Sequence, residues 1–251
     1  MFLAARPPRT LLFALAALIS LLLAGDALAT GFSVNRAASG ARTATITKAQ
    51  AVAYARVVNL RAGDVPGMAV TGPGKSEGTR ERRSSDALAR CAGIVSRGQQ
   101  LVDISSPTFT GGRALEQEQI SSGVSVLSSA AAAAREFAAI RSARGRACIT
   151  SFAERELSSE SRGLLHYVRL VAAPLRAPLA GIDASFGLRL TVVLAARRGG
   201  HRFYLYLDSL GFRDGPAEIG LNLSGFSHPV SSATERRLLS MLYARARAHK
   251  L

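Results

Sequence analysis

The stretch at residues 188–223, LRLTVVLAARRGGHRFYLYLDSLGFRDGPAEIGLNL, decides the fold of this chain of 251 residues. It contains three apolar runs, at residues 188–196, 203–210 and 217–223, separated by short turn sequences built on Gly200 and Gly215. Turns this short join neighbouring antiparallel strands, whereas parallel strands need a long crossover. The stretch therefore predicts an antiparallel meander, and the run at residues 164–171 adds one strand before it.

Helical patterns flank this meander. A capping box at Thr47 and Gln50 opens a first helix, and residues 232–235 fit a second box before a final helix. The apolar stripe of the final helix is Leu238, Leu239, Leu242, Tyr243 and Ala246, and four arginines are expected to face water: Arg236, Arg237, Arg245 and Arg247. Between the two boxes the pattern predicts a helix through Cys91, extended pieces at 101–104 and 108–109, a strand at 120–127 and an Ala-rich helix after Ser129. The resulting class is α+β, an antiparallel sheet covered on one face by helices.

Residues 1–29 predict where the protein works. Two arginines precede an apolar run at residues 11–24, and Ala27-Leu28-Ala29 follows, which is typical of a secretory signal peptide cleaved near Ala29. Asp26 stands where a lipoprotein signal has its lipidated cysteine, so the mature protein is expected to be released; an uncleaved segment acting as an anchor is the alternative. Residues 30–45 then form a flexible lead-in, and residues 46–251 form a single α+β domain.

Arginine dominates the charge of this chain. The net charge is +15, and since residues 1–29 carry two arginines and one aspartate, the mature form keeps +14. Such a surface favours anionic lipid or polymer of a bacterial cell envelope, although many solvated arginines also accompany a bias toward GC-rich codons. Nucleic acid is disfavoured by export and by the absence of tryptophan.

Two cysteines, Cys91 and Cys148, complete the framework of the mature part. In an exported chain an even pair predicts a disulfide. A redox or metal-binding pair is disfavoured because the spacing has no C-x-x-C character and no histidine is near either thiol.

Motifs that carry chemistry are weak in this sequence. Residues 69–76 satisfy a relaxed P-loop pattern, and Asp208 follows an apolar run as a magnesium-holding aspartate would, but no apolar stripe follows the glycines and Pro73 removes an amide. The four histidines, His166, His201, His228 and His249, have neither metal-helix spacing nor a nucleophile elbow beside them. We therefore assign no catalytic, cofactor or metal residue from the sequence.

The order of elements resembles a known group of proteins. The segment Asn59-Leu60-Arg61-Ala62-Gly63-Asp64-Val65-Pro66-Gly67 after an Ala-rich helix, Ser106-Pro107-Thr108-Phe109, the helix ending at Cys148 and the closing meander resemble exported and lipid-anchored actinobacterial proteins of unknown function. More distantly the pattern is similar to the PsbP-like fold of envelope lipoproteins and of the extracellular sensor domains of mycobacterial kinases. The resemblance implies a curved antiparallel sheet, a disulfide and no catalytic machinery.

These observations lead to one functional expectation and two alternatives. The expectation is an exported, non-catalytic domain that binds a ligand or partner at the cell envelope, either anionic lipid or polymer or a small apolar ligand held at the free sheet face or beside the disulfide. Membrane association is expected to be peripheral at most, or through an uncleaved signal segment. The alternatives are an envelope hydrolase with an unrecognised site and a structural or assembly component.

Overall fold

The computed structural model of the protein describes residues 45–72, 79–94, 99–113, 116–159, 165–176, 182, 184–197 and 199–251. The proposed signal segment, all but the last residue of the lead-in and the Pro73–Ser76 part of the P-loop pattern lie outside the described residues. Five helices occur in the described ranges: α1 (Lys48–Val58), α2 (Thr79–Ala92), α3 (Ala130–Arg141), α4 (Ala143–Ser159) and α5 (Ser232–Ala248). The strands are β1 (Ala69–Gly72), β2 (Gln100–Ser105), β3 (Thr108–Gly111), β4 (Glu118–Leu127), β5 (Leu165–Pro174), β6 (Ala184–Ala196), β7 (Arg202–Asp214) and β8 (Ala217–Phe226).

All eight strands belong to one antiparallel sheet. Its order is β1-β3-β4-β8-β7-β6-β5, and β2 also pairs with β4. The four strands β5 to β8 are sequential neighbours, and Gly215, with a φ of 57°, lies in the tight turn between β7 and β8. The α+β class, the antiparallel sheet and the predicted meander are therefore confirmed.

Helices lie on both faces of the sheet. Alternate residues of β7 separate the two: Leu210 and Phe212 pack in a core with α1 and α5, whereas Leu205 and Leu207 pack in a core with α2 and α4. We call these sides the α5 face and the α4 face. The prediction placed helices on one face only; the second cover arises because small and polar residues on β8, such as Gly220 and Asn222, are buried on the α4 face.

Local sequence signals explain where three of the helices begin. Thr47 caps α1 in the predicted box with Gln50, and Ser129 caps α3. The final helix differs from its prediction, because Ser231 is the N-cap and Glu235 turns toward the sheet instead of toward the helix terminus. The expectation that Arg245 faces water is also wrong, since its guanidinium binds both carboxylate oxygens of Asp64 at 2.7 and 2.8 Å.

A buried hydrogen-bond network attaches α1 to the sheet. The Ser122 hydroxyl, on β4, donates to Asn59 Oδ1 at 2.7 Å and accepts from the Leu60 N–H at 2.9 Å. Asn59 Nδ2 donates to the Ile104 carbonyl at 2.7 Å. Because these groups are shielded from water, each bond replaces one that the unfolded chain makes with solvent.

The predicted disulfide is present. Cys91 on α2 is bonded to Cys148 on α4, with 5.8 Å between their Cα atoms and 57 residues between them in sequence. Leu88 and Ala92, the buried apolar residues of α2, pack in the same cluster as α4. The bridge therefore fastens the outermost helix of the α4 face to the helix beneath it.

Candidate functional site

Beyond the first turn of α5, the α5 face exposes side chains of β5 and β7, whereas Val193 and Ala195 of β6 between them are buried, with 2% and 9% exposure. Strand register places three cross-strand rows there, namely His166–Ala195–Arg202, Arg169–Val193–Tyr204 and Val171–Thr191–Tyr206. Val168 is unpaired in the irregularity between Tyr167 and Arg169, so the register places it at the edge of this group without fixing its face. We call these residues the open face.

Large apolar side chains are exposed at the open face. Val168, Val171 and Tyr204 are 42%, 44% and 39% exposed. Only two other large apolar residues in the described ranges are comparably exposed, and they lie elsewhere, at Val70 and Leu251. Single exposed apolar residues are ordinary on protein surfaces, whereas several in one region of a sheet make that region a candidate binding surface.

Two exposed arginines flank this apolar group. Arg169 is on β5 and Arg202 opens β7, and both side chains lie on the α5 face. Within the described part of the chain neither has an acidic partner. Their charge is therefore available to a ligand. Arginine and tyrosine are also among the residues enriched in protein interfaces.

A third arginine lies at the border between the open face and the part covered by α5. Arg189 on β6 donates two hydrogen bonds of 2.6 Å to the carboxylate of Asp208 on β7 and a longer one of 3.3 Å to Glu235 on α5. Its guanidinium also lies 6.0 Å from the ring centroid of Tyr206. We call Arg189, Asp208 and Glu235 the Arg189 cluster; Asp208 is thus held by an arginine, which does not fit the magnesium role weighed from the sequence.

Burial changes the acidity of this cluster. Asp208 and Glu235 are 2% and 9% exposed. Loss of hydration, followed by the nearby charge and hydrogen bond of Asp208, raises the pKa of Glu235 to about 7, while Arg189 opposes the shift. One positive group therefore neutralises two carboxylates only when one of them carries a proton.

A small cavity lies on the α4 face. It has a volume of about 40 Å³ and lies between α3, α4 and the sheet, lined by residues that include Phe137, Ile149 and Ser209. This is room for water, whereas small-molecule sites span about 300–1,000 Å³. Beside it, burial raises the pKa of Glu218 well above its usual value, and the charges of Glu136 and Asp103 act in the same direction.

A wider cleft opens between α1 and the end of α5. Its volume is about 790 Å³, and it is lined by Tyr54, Gln50, Ser129 and Lys250 among others. The Tyr54 hydroxyl is buried without a hydrogen-bond partner, and burial followed by the charge of Asp214 raises the pKa of Tyr54. The cleft therefore has the size of a ligand site.

The four histidines weighed from the sequence lie on separate elements. His166 is on β5, His201 precedes β7, His228 follows β8 and His249 caps α5. No group of three or more potential metal ligands occurs among the described residues. Ala69 to Gly72, the strand part of the P-loop pattern, pairs antiparallel with β3, which differs from the parallel setting that a P-loop requires.

The residues of the open face were not among those predicted from the sequence. Tyr204 and Tyr206 alternate with the buried Leu205 and Leu207, which indicates that both tyrosines lie on one face of a strand. That pattern does not reveal where α5 begins over the sheet, which depends on tertiary packing.

Neither a family model nor a curated protein matches the sequence of this chain. Among solved structures, the extracellular domain of PknH from Mycobacterium tuberculosis is similar to the chain with a TM-score of 0.40 and 8% sequence identity. The match covers 81% of this chain and 98% of that domain. Similarity at this level carries no argument about function. No helix in the described ranges is long and apolar enough to cross a membrane.

Proposed function

We propose that this protein is an exported, non-catalytic domain that docks peripherally on anionic phospholipid surfaces of the cell envelope through its open face. The observation that carries the proposal is the group of exposed Val168, Val171 and Tyr204 between Arg169 and Arg202. Apolar and aromatic side chains suit the interfacial layer of a bilayer, and arginines suit its anionic headgroups. A soluble anionic polymer would use the arginines but leave the valines exposed.

Export is part of the same proposal. The apolar segment and cleavage pattern at residues 1–29 support removal near Ala29, which leaves a mature chain with residues 30–45 as a lead-in to one domain. Mass analysis of the N-terminus of protein recovered from the medium of an expressing bacterium tests this point. An intact Met1 form retained in the membrane contradicts it.

Binding to vesicles tests the docking surface. Each arginine near an anionic bilayer contributes about 1 kcal/mol, so replacing Arg169 and Arg202 together by glutamine should weaken binding by about 2 kcal/mol, or roughly 30-fold. The experiment uses secreted protein and phosphatidylglycerol vesicles, with neutral phosphatidylcholine vesicles in parallel. The matched control replaces Arg56 and Arg155, which are exposed on α1 and α4, and so removes the same charge elsewhere.

Three results contradict the proposal. One is equal binding to anionic and neutral vesicles. Another is an equal loss of vesicle binding in the Arg169/Arg202 variant and in the Arg56/Arg155 control, because the attraction would then come from net charge alone. The third is binding to a soluble anionic polymer as tight as to vesicles and unchanged by Val171→Ser, which would make a polymer the partner instead of a membrane.

A further inference from the structure

The Arg189 cluster lies one row along the strands from the open face. Register continues the rows of the open face to Ala173–Arg189–Asp208, immediately after Val171–Thr191–Tyr206. Residues two apart on a strand are separated by about 7 Å, so Asp208 is about 7 Å from Tyr206 and about 13 Å from Tyr204 along the strand. A charge in the cluster therefore acts on whatever occupies the open face.

The Arg189 cluster can exist in two charge states, with Glu235 ionised or protonated. Two carboxylates share one guanidinium, and Asp208 has the closer contact, with both of its oxygens at 2.6 Å from Arg189 nitrogens. Glu235 is bound to the same guanidinium only at 3.3 Å. Glu235 is therefore the carboxylate that accepts a proton, and the cluster changes from a net charge of −1 to 0 when it does.

We infer that Glu235 makes docking at the open face depend on pH, so that an anionic surface is bound more tightly as the pH falls toward 6. The inference rests on the proposed function, since it describes regulation of the same surface. The ionised cluster repels anionic headgroups and draws the charge of Arg189 inward. Protonation of Glu235 removes that repulsion, and by linkage a bound anionic surface favours the protonated form.

Within the described ranges, the charged groups that act on Glu235 come from two strands. Arg189 on β6 and Asp208 on β7 contact it or share its proton, and Tyr206 on β7 lies beside Arg189. His166 is on the open face, three rows from Arg189, and histidine is the side chain that ordinarily changes charge between pH 5 and 8. Every comparison is therefore made in a His166→Gln background as well.

Binding to phosphatidylglycerol vesicles at pH 6 and pH 8 tests the inference. One charge at about 7–13 Å with an effective dielectric constant of about 40–80 changes affinity by roughly two- to sevenfold. The chain with native Glu235 should show that gain on going from pH 8 to pH 6. Glu235→Gln, which imitates the protonated state, should bind at pH 8 as the native chain does at pH 6 and show no gain. Glu156→Gln removes a half-buried carboxylate on α4, on the opposite face of the sheet, and should retain the gain.

The outcomes separate this inference from the proposed function. If Arg169→Gln/Arg202→Gln leaves binding unchanged at both pH values, the docking surface is wrong. If that variant loses binding but Glu235→Gln keeps the same pH dependence as the native chain, the docking surface stands and the role of Glu235 is overturned. A second measurement follows the Glu235 carboxyl carbon by NMR: its titration midpoint should move to higher pH when anionic vesicles are added, and an unmoved midpoint contradicts the inference.

Discussion

Removal of the disulfide should destabilise the protein strongly and release α2 before the sheet. The change is Cys91→Ala with Cys148→Ala. The bond closes a loop that contains β2, β3, β4 and α3, since its cysteines are 57 residues apart. On the chain-entropy model a loop of that length corresponds to about 4 kcal/mol of stability.

The structure also predicts which element should lose stability first when the disulfide is removed. Helix α2 packs against α4, and its buried anchors in that contact are Leu88 and Ala92, which are 8% and 6% exposed. One buried leucine contributes about 1.5–3 kcal/mol, which is little to hold a helix without the bridge. We therefore expect α2 to open locally while β6, β7 and β8 remain folded.

Urea unfolding and amide hydrogen exchange measure both effects. The free energy of unfolding should fall by about 4 kcal/mol, and amides of α2 should lose protection at urea concentrations that leave β7 protected. Ser151→Ala, at an exposed position of α4, is the control and should change neither quantity. A loss below about 1 kcal/mol, or protection lost equally in α2 and β7, would refute the reasoning.

Three other substitutions test the packing of the α5 face. Ser122→Ala leaves the Leu60 N–H and Asn59 Oδ1 buried without partners, so the free energy of unfolding should fall by about 2–5 kcal/mol; a change below 1 kcal/mol contradicts the network. Tyr54→Phe removes a buried hydroxyl that has no partner and should raise stability by about 1 kcal/mol, whereas a clear loss would show that the hydroxyl is bonded. Burial acts to raise the pKa of Asp64, but hydrogen bonds from Arg245 and from the Arg61 N–H lower it overall. A lowered pKa stabilises the fold above the unfolded value near 4 and loses that effect as the pH falls below it. The stability difference between the native chain and Asp64→Asn should therefore be constant from pH 5 to 8 and shrink below pH 4, and a difference independent of pH throughout would be contrary evidence.

The sequence predicts the meander well because period-two alternation and glycine turns are local properties. It does not predict the second layer of helices. On β8 the α4-face positions are Gly220, Asn222 and Ser224, which look solvent-facing by polarity although Asn222 and Ser224 are only 3% and 7% exposed. Small side chains at these positions allow α3 to pack close to the sheet. The pattern within β8 cannot show this, because α3 is distant from β8 in sequence.

The candidate site was harder to predict for a related reason. Glu235 fits a capping box, yet its side chain binds Arg189, which lies 46 positions earlier in the chain. The capping-box pattern favours a bond from Glu235 back to the start of its own helix, but the ion pair with Arg189 is formed instead. The open face likewise lies beyond the first turn of α5, and no short segment encodes where that helix is placed over the sheet.

Contact between the open face and a bilayer is the central claim, and the absence of tryptophan from the chain allows a direct measurement. Tyr204→Trp places a single fluorophore on the open face, and Val70→Trp places one at an exposed position on β1. Both variants are mixed with phosphatidylglycerol vesicles that carry brominated acyl chains, which quench only nearby tryptophan. The account predicts strong quenching at position 204 and little at position 70; equal quenching at both positions, or none at 204 under conditions where the protein is bound, would contradict it.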